Sequence, residues 1–540
     1  MSLATCGQRG APSQYINRRS ISALRNPDTT TLDRNDAGEE MFLASLLFVE
    51  CDPDTFTDLP PQQITGRLVV ARELYRGVLR DERISEAIVW SHRTNHETPF
   101  GGKCRIGCGN DEWNALRTKC EMVWYEPMRH YTFYPAYMRR LLQRHFPIVT
   151  HMHGLAYSHE IPVTAASLSL GSAPGDAILC PTQSAGRAMA RYLDSLNQLL
   201  ESSCRPPELI VLDYPVRSPI LMPRVVAKQA LGLSATCTAM LYLGRLDAPD
   251  KGDLCSLLQA FRHTKDSATA ELHLVVAGSS ESEGPIRAIT AMANALHISE
   301  SVTVLPNFPE PLKATLYSAA DVFIAPSITL NESFGLTVVE AMASGAAVVC
   351  SDWDGYRESV TDGVTGLRVP TVAVANLPEE LDRAAPLGAR LSVLCADSIA
   401  LDGRGLCNAL QALCSPELRA RLGRRAQREA VARWDVDRCT KKVVDVLESR
   451  LKVQSSPPVT EYGTSLFASF SHYVTRWLGS HSRLGRTTIS VADAVAAIGP
   501  QAMGQALQVL AKPERAASTP ATLLVRLIAA GGLTVEEDNH

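Results

Sequence analysis

Two basic residues in the segment LYLGRLDAPDKGD could bind a diphosphate. Arg245 and Lys251 follow an apolar run that ends at Gly244, and Gly252 precedes the next helical pattern. A diphosphate needs compact positive charge and free backbone N–H groups. An arginine supplies a planar fork, a lysine supplies a point charge, and a helix start supplies amides. We therefore predict a diphosphate site here, although a solvated loop with two chance cations would look the same in sequence.

A second segment, APSITLNESFGLTVVEAMASG, carries two carboxylates that could bind hydroxyl groups. Glu332 lies in a loop after an apolar run, and Glu340 lies about one turn into the helical pattern that follows. Carboxylates accept hydrogen bonds from paired hydroxyls, and the amides of residues 334–337 at the helix start would form a nest of donors. Two surface charges that favour a helix N-terminus are the simpler alternative. The pattern indicates a site for a polyol such as a sugar or a ribose.

A third segment, FPIVTHMHGLAYSHE, places histidines after an apolar run. His151 and His153 both lie at the end of this run. An imidazole at the end of a strand could hydrogen-bond a sugar hydroxyl or orient a leaving group. A packing role for either histidine, or a metal bound by both, is the alternative.

All three segments lie in regions where short apolar runs alternate with helical patterns. This alternation continues from Glu40 to about Pro219 and again from Thr238 to Ser351, and a proline-rich stretch, LDYPVRSPILMPRV, separates the two regions. Strands that alternate with helices predict a parallel sheet covered on both faces. In such a sheet, ligands bind outside the carboxyl ends of the strands, where each of these segments would lie. The predicted fold class is α/β, with two Rossmann-like doubly wound domains that face each other across a cleft.

The composition narrows the classes of function. The 540 residues carry 53 Lys and Arg against 57 Asp and Glu, so the overall charge does not call for a nucleic acid. No run approaches the roughly 18–20 apolar residues of a membrane-spanning helix, and the polar first twenty residues lack the apolar core of a secretory signal. We therefore expect a cytoplasmic protein with reduced thiols, and a peripheral contact of MRHYTFYPAYMRRLLQRHF with a membrane is left open. A zinc site at Cys104, Cys108 and Cys120 is disfavoured, because a fourth ligand at regular spacing is missing.

The motif GRLxxxxKG, then ExFGLTxxEAMASG, then VVCSDWDGYRESVTDGVTGLRV resembles the nucleotide-sugar-binding lobe of retaining glycosyltransferases of the GT-B fold, family 4 (glycosyl transferases group 1). The resemblance runs from about Leu241 to Val369 and more loosely to Leu451. It implies transfer of a sugar from a nucleoside-diphosphate sugar to an acceptor hydroxyl, with retention at the anomeric carbon. We expect no required metal, because cations and helix amides would stabilise the leaving diphosphate and no DxD-type ligand stands in the expected place. No cofactor is expected either, since the donor is a co-substrate.

The resemblance assigns roles to individual residues. Arg245 and Lys251 would hold the donor diphosphate, and Glu340 would bind the ribose hydroxyls. His153 and Glu332 would be the catalytic residues, with His153 facing the donor sugar and His151 as the second choice for that role. Glu332 would also contact the donor sugar, together with the segment that follows it: Phe334, Gly335, Leu336 and Thr337. The loop at Asn307–Phe308 would meet the base through its backbone, and Gly355, Glu358, Gly363 and Gly366 would be structural.

The amino-terminal half matches this family less well. The family usually has a glycine-rich loop after its first strand, but here that strand runs into CDPDTFTDLPP, and paired glycines come only at Gly101–Gly102. We predict a flexible arm over 1–38, an acceptor domain over 39–219, a nucleotide-sugar domain over 220–433, a crossover helix over 434–453, and a linker with a small helical appendage over 454–540. A GT-B epimerase, a sugar phosphorylase and a non-catalytic partner subunit are the alternative functions. The sequence identifies neither the donor nor the acceptor.

Overall fold

The computed structural model describes residues 43–50, 66–90, 104–107, 110–118, 122–127, 133–155, 160–201, 205–246, 251–376, 379, 398–453, 483–486 and 533–536. The chain separates into two compact units, Met1–Glu461 and Tyr462–His540. The arm predicted over 1–38, the pair Gly101–Gly102, and Cys108 and Cys120 lie outside the described residues. The domain boundaries drawn from the sequence stay predictions.

The first sheet of unit Met1–Glu461 has seven parallel strands in the order β3-β2-β1-β4-β5-β6-β7. The strands are β1 (Leu43–Glu50), β2 (Ile84–Trp90), β3 (Cys104–Gly107), β4 (Met122–Glu126), β5 (Ile148–His151), β6 (Ala177–Cys180) and β7 (Glu208–Val211). Among the described residues, five helices connect them: α1 (Gly66–Arg80), α2 (Asn110–Thr118), α3 (Phe133–Leu142), α4 (Glu160–Leu170) and α5 (Gln183–Leu199).

The second sheet has six parallel strands in the order β10-β9-β8-β11-β12-β13. The strands are β8 (Thr238–Leu243), β9 (Leu272–Gly278), β10 (Val302–Pro306), β11 (Val322–Ala325), β12 (Ala347–Ser351) and β13 (Gly366–Val369). The helices are α6 (Arg224–Ala230), α7 (Leu254–Ser267), α8 (Glu283–Ala295), α9 (Leu312–Ala319), α10 (Leu336–Ala343), α11 (Tyr356–Ser359), α12 (Gly403–Ala412), α13 (Pro416–Arg433) and α14 (Val436–Leu451). A short antiparallel pair, β14 (Thr371–Ala373) with β15 (Ile399–Leu401), follows β13.

The central strands of both sheets are buried along their whole length, as the apolar runs predict. Every residue of β8, β11 and β12 is buried, and the same holds for β4, β5 and β6. A parallel strand with helices on both faces has no solvent side, so its sequence is continuously apolar rather than alternating. The two predicted doubly wound domains are therefore confirmed.

Both sheets reverse their strand order at one point. The reversal lies between β1 and β4 in the first sheet and between β8 and β11 in the second, where Val322 pairs with Met240. Connections leave in opposite directions on the two sides of such a point, which opens a crevice at the carboxyl ends of the strands. The loops that follow β8 and β11 carry the predicted cations and carboxylates.

Helix α14 returns from the second sheet to pack on α1 beside the first. A Cβ on Gly77 of α1 would come within 2.2 Å of Thr440 Cγ2, so the two helices are in close contact. The side chain of Arg83 donates to Asp445 at 2.7 Å, and Arg450 donates to Glu208 at 2.7 Å. Helix α14 thus covers part of the first lobe.

The unit Tyr462–His540 is described only at two short strands. These are β16 (Arg483–Arg486) and β17 (Leu533–Glu536), which pair antiparallel. The helical patterns predicted at VADAVAAIG and ATLLVRLIAAGG lie outside the described residues. Where the structure does describe the chain, it contains no helix that combines the length and the apolar character needed to cross a membrane.

Candidate active site

A pocket of about 410 Å³ opens at the carboxyl ends of both sheets. The first lobe lines it with the start of α1, the loop after β5 and Tyr214, and the second lobe lines it with the loops after β8, β9, β10 and β11. The volume falls in the range of small-molecule sites. All nine residues assigned to the site from the sequence line this pocket: His153, Arg245, Lys251, Glu332, Phe334, Gly335, Leu336, Thr337 and Glu340.

The two cations predicted to hold a diphosphate both reach the pocket, but Lys251 already has a carboxylate partner. Its Nζ donates to Oε2 of Glu332, whose side chain is only 9% exposed. Ser327 Oγ lies 3.5 Å from the same oxygen. A lysine has three donors, so Lys251 can keep this contact while it also donates to an anionic ligand. The pair therefore links the predicted diphosphate site to the predicted sugar site.

The start of α10 depends on a glycine. Gly335 caps the helix in the left-handed region at φ 90°, and a Cβ there would lie 2.3 Å from the ring of Tyr356. Any other residue would be strained and would clash. This turn brings Leu336 and Thr337, which open the helix, to the wall of the pocket. Amides at this position of a helix have no intrahelical acceptor, so they can donate to a ligand.

Glu340, predicted to bind ribose, is held by two side chains of α9. Its Oε1 accepts from Lys313 Nζ at 2.8 Å, and its Oε2 accepts from the Tyr317 hydroxyl at 2.6 Å. Burial lowers the pKa of Lys313, but the charge of Glu340 and its hydrogen bond outweigh this, and the pKa lies above its ordinary value. The lysine is therefore charged and compensates the buried carboxylate.

The structure separates the two candidate histidines. His151 ends β5, is fully buried, and shares a 2.9 Å hydrogen bond between its Nε2 and the Tyr125 hydroxyl. Burial lowers the pKa of His151 to about 3, so it is neutral and belongs to the core. His153 lies beyond the strand end and lines the pocket. Among the described residues, no group of three or more His, Cys, Asp or Glu side chains could hold a metal ion.

Beside the pocket, the start of α5 in the first lobe binds residues of the second. Both oxygens of the Glu358 carboxylate accept from backbone amides, one from Gln183 at 2.8 Å and one from Ser184 at 2.7 Å. Thr182 Oγ1 donates to the carbonyl of Ser333 at 3.0 Å, one residue from Glu332. Ser184 therefore belongs to this contact between lobes.

Sequence reasoning missed several residues of the pocket. On the first lobe, Gly66 and Arg67 open α1 at the pocket wall, where the family pattern led us to search for a pair of glycines. The available signal was a lone glycine directly before the helical pattern RLVVARELYRGVL. On the second lobe, Lys313 and Glu310 were missed. Their signal was that α9 follows the Asn307–Phe308 loop, whose two residues do line the pocket.

Comparison with known proteins confirms the resemblance found in the sequence. Residues 227–386 match the family described as glycosyl transferases group 1. The D-inositol 3-phosphate glycosyltransferase of Thermomonospora curvata is 32% identical over 241 residues, which cover 41% of this chain and 54% of that protein. The enzyme of the same description from Acidothermus cellulolyticus is 28% identical over 340 residues, which cover 59% of this chain and 70% of that protein. The chain thus spans about half the length of the first of these relatives.

Solved structures confirm the fold. Sucrose-phosphate synthase from Thermosynechococcus elongatus superposes with a TM-score of 0.52 at 18% identity, over 75% of this chain and 98% of that chain. The Anabaena protein HepE, crystallised with UDP and glucose, superposes with a TM-score of 0.52 at 16% identity, over 75% of this chain and 99% of that chain. These similarities show the GT-B arrangement of two Rossmann-like domains. Residues 227–386, which supply the cations and carboxylates assigned to the site in the second lobe, are the part of the chain that matches the glycosyl transferases group 1.

Proposed function

We propose that this protein is a retaining glycosyltransferase that moves a sugar from a nucleoside-diphosphate sugar to an acceptor hydroxyl. One observation carries the proposal. A single pocket holds the cations of Arg245 and Lys251, the buried carboxylates of Glu332 and Glu340, and a helix start, all at the carboxyl ends of the strands. Each of these groups suits one part of a nucleotide sugar.

The second lobe would bind the donor. Arg245 and Lys251 would neutralise the charge that grows on the diphosphate as it leaves the sugar, and the amides that open α10 would add donors. Such interactions stabilise the transition state more than the ground state, which is the requirement for catalysis. Because fixed cations supply this charge, we propose that transfer needs no divalent metal.

The carboxylates and the histidine would act on hydroxyls. Glu332 would contact the donor sugar and Glu340 the ribose, while His153 would approach the sugar from the first lobe. No carboxylate is assigned as a covalent nucleophile, so a front-face reaction is the mechanism that we propose for retention. The inter-lobe contacts of Glu358 and Thr182 would favour a closed cleft that excludes water from the reaction.

The relatives, rather than the pocket, suggest a class of acceptor to test. The relatives described as D-inositol 3-phosphate glycosyltransferases suggest a phosphorylated polyol, and the phosphatidyl-myo-inositol mannosyltransferase of Mycobacterium leprae, 34% identical over 155 residues, suggests an inositol lipid. The latter match covers 29% of this chain and 39% of that protein. We propose an inositol-containing acceptor as the first class to test.

The decisive assay measures nucleoside-diphosphate release from UDP-, GDP- and ADP-sugars, with and without inositol phosphates and phosphatidylinositol. Three results together support the whole proposal. Release depends on an acceptor, NMR shows an axial product from an axial donor, and the reaction persists in EDTA. Turnover without acceptor would instead indicate an epimerase or hydrolase. Binding without any turnover would indicate a non-catalytic subunit.

A further inference from the structure

Two side chains of α9 fix the carboxylate that faces the pocket from α10. Lys313 and Tyr317 are four residues apart on α9, so they project from the same face of that helix. Each donates to a different oxygen of Glu340. Tyr317 is 1% exposed and Glu340 is 6% exposed, so water does not compete for these contacts.

The contacts with Lys313 and Tyr317 leave Glu340 able to accept further hydrogen bonds. An ionised carboxylate has about four acceptor sites, two on each oxygen. One site on each oxygen is filled, by Lys313 or by Tyr317. One acceptor site therefore remains on each oxygen, and Glu340 lines the pocket. A matching ligand would present two hydroxyls on adjacent carbons.

A buried carboxylate without these partners would be free to rotate. Isolated buried charge is costly, so a buried carboxylate needs a charged neighbour. Lys313 supplies that charge, and the Tyr317 hydroxyl, which also lies 3.4 Å from the carbonyl of Thr337, fixes the plane of the carboxylate. The tyrosine ring packs independently, against Phe323 with ring centroids 6.1 Å apart.

We propose that Lys313 and Tyr317 are positioning residues that hold Glu340 ready to accept both hydroxyls of a ribose, and that they thereby make the site select ribonucleotides over 2′-deoxyribonucleotides. This inference rests on the proposed function, because the vicinal diol belongs to the nucleotide of the donor. It adds a source of selectivity that lies in α9, outside the motifs that carry the family resemblance.

The test compares binding of matched nucleotides by calorimetry. The tightest ligand among UDP, GDP and ADP is measured beside its 2′-deoxy counterpart, for the wild type, Tyr317→Phe and Lys313→Met. Tyr317→Phe removes one hydroxyl and keeps the ring in place. The ratio of the two dissociation constants isolates the effect on the diol, because both ligands carry the same diphosphate and base. Lys265→Met, on the far end of α7, is the matched control for lost charge.

We expect the wild type to bind the ribonucleotide about tenfold or more tightly than the deoxynucleotide, as one lost hydrogen bond to a charged group would give. In Tyr317→Phe and Lys313→Met this ratio should fall about fivefold or more. The affinity of Tyr317→Phe for the deoxynucleotide should change little. Lys265→Met should keep the wild-type ratio. An unchanged ratio in Tyr317→Phe, or equal weakening of both ligands, would overturn the inference. A wild type that binds nucleotides without preference would overturn it and leave the proposed function standing, whereas a wild type that binds none of the three would remove both.

Discussion

At the scale of single residues, the pair of Lys251 and Glu332 decides how the pocket behaves. A buried carboxylate fixes the lysine beside the predicted diphosphate site, so the cation is in place before a ligand arrives. Such preorganisation avoids the cost of reorganising charge during the reaction. The same contact means that removal of the lysine leaves a buried carboxylate without its charged partner.

Removal of either cation should therefore lower activity strongly. We expect Arg245→Ala and Lys251→Ala each to lose roughly 2–4 kcal/mol of transition-state stabilisation, measured from kcat/KM. Glu332→Gln should lower turnover more than it changes the free energy of unfolding. Arg287→Ala, an exposed cation on α8, is the control and should match the wild type. Activity of the Arg245 or Lys251 variant within about threefold of wild type would contradict the assignment.

Asp354 gives the protein a pH dependence of known sign. Its pKa is raised to about 6 from an ordinary 3.8, chiefly by burial; the hydrogen bond with Ser184 and the charge of Arg357 oppose the shift, and the charges of Glu332 and Glu358 contribute to it. Above about pH 4 the unfolded chain loses this proton before the folded chain does. Stability therefore falls as pH rises through 6, and the loss is complete above that value.

Asp354→Asn should remove this loss. Relative to wild type, the free energy of unfolding of the variant should rise between about pH 4 and pH 7, by up to roughly 3 kcal/mol. That limit corresponds to the pKa difference of about two units between the folded and unfolded states. Urea unfolding at several pH values measures the effect, with Asp266→Asn on α7 as the control. A difference between variant and wild type that stays constant over this range would refute the interpretation.

At the scale of elements, the contact between α5 and Glu358 ties the lobes together beside the active site. The carboxylate meets two amides at a helix N-terminus, where negative charge is favoured. Because α11 carries Glu358 and begins with Tyr356, whose ring lies against Gly335, this contact supports the loop predicted to bind the sugar.

Weakening that contact should open the start of α5. In Glu358→Gln, we expect the amides of Gln183 and Ser184 to exchange hydrogen about tenfold faster, as a loss of about 1.4 kcal/mol of protection implies. Glu417→Gln, a surface carboxylate on α13, changes the charge equally and should leave exchange at α5 unaltered. Unchanged exchange in Glu358→Gln would show that the lobes do not depend on this contact.

The elements also show which features a sequence can predict. The apolar runs predicted the strands, because a parallel strand buried on both faces is apolar along its whole length. The polar residues that follow these strands predicted the pocket. The contact of Lys313 and Tyr317 with Glu340 could not be predicted, since it depends on how α9 is rotated against α10. His153 and Gly66 could be predicted only in part. Both lie at the end of a strand or helix, and the exact end of that element decides whether a residue enters the core or the pocket.

At the scale of the whole molecule, helix α14 closes the unit by packing on α1. Gly77 permits the contact, because a methyl group there would meet the side chain of Thr440. We expect Gly77→Ala to destabilise the protein by about 1–3 kcal/mol through overpacking, despite the better helix propensity of alanine. Denaturant unfolding measures this. Gly403→Ala at the start of α12, where a Cβ would have open space, should be neutral or slightly stabilising, and a neutral Gly77→Ala would contradict the close packing.

The return of α14 also has a consequence for biosynthesis. The last strand of the first sheet ends at Val211, but the helix that covers α1 begins only at Val436. While the ribosome makes the intervening residues, the emerging chain exposes an apolar surface that its own later part must bury. A fragment that stops near residue 219 should therefore aggregate or recruit chaperones, and supplying residues 416–453 as a separate peptide should relieve this.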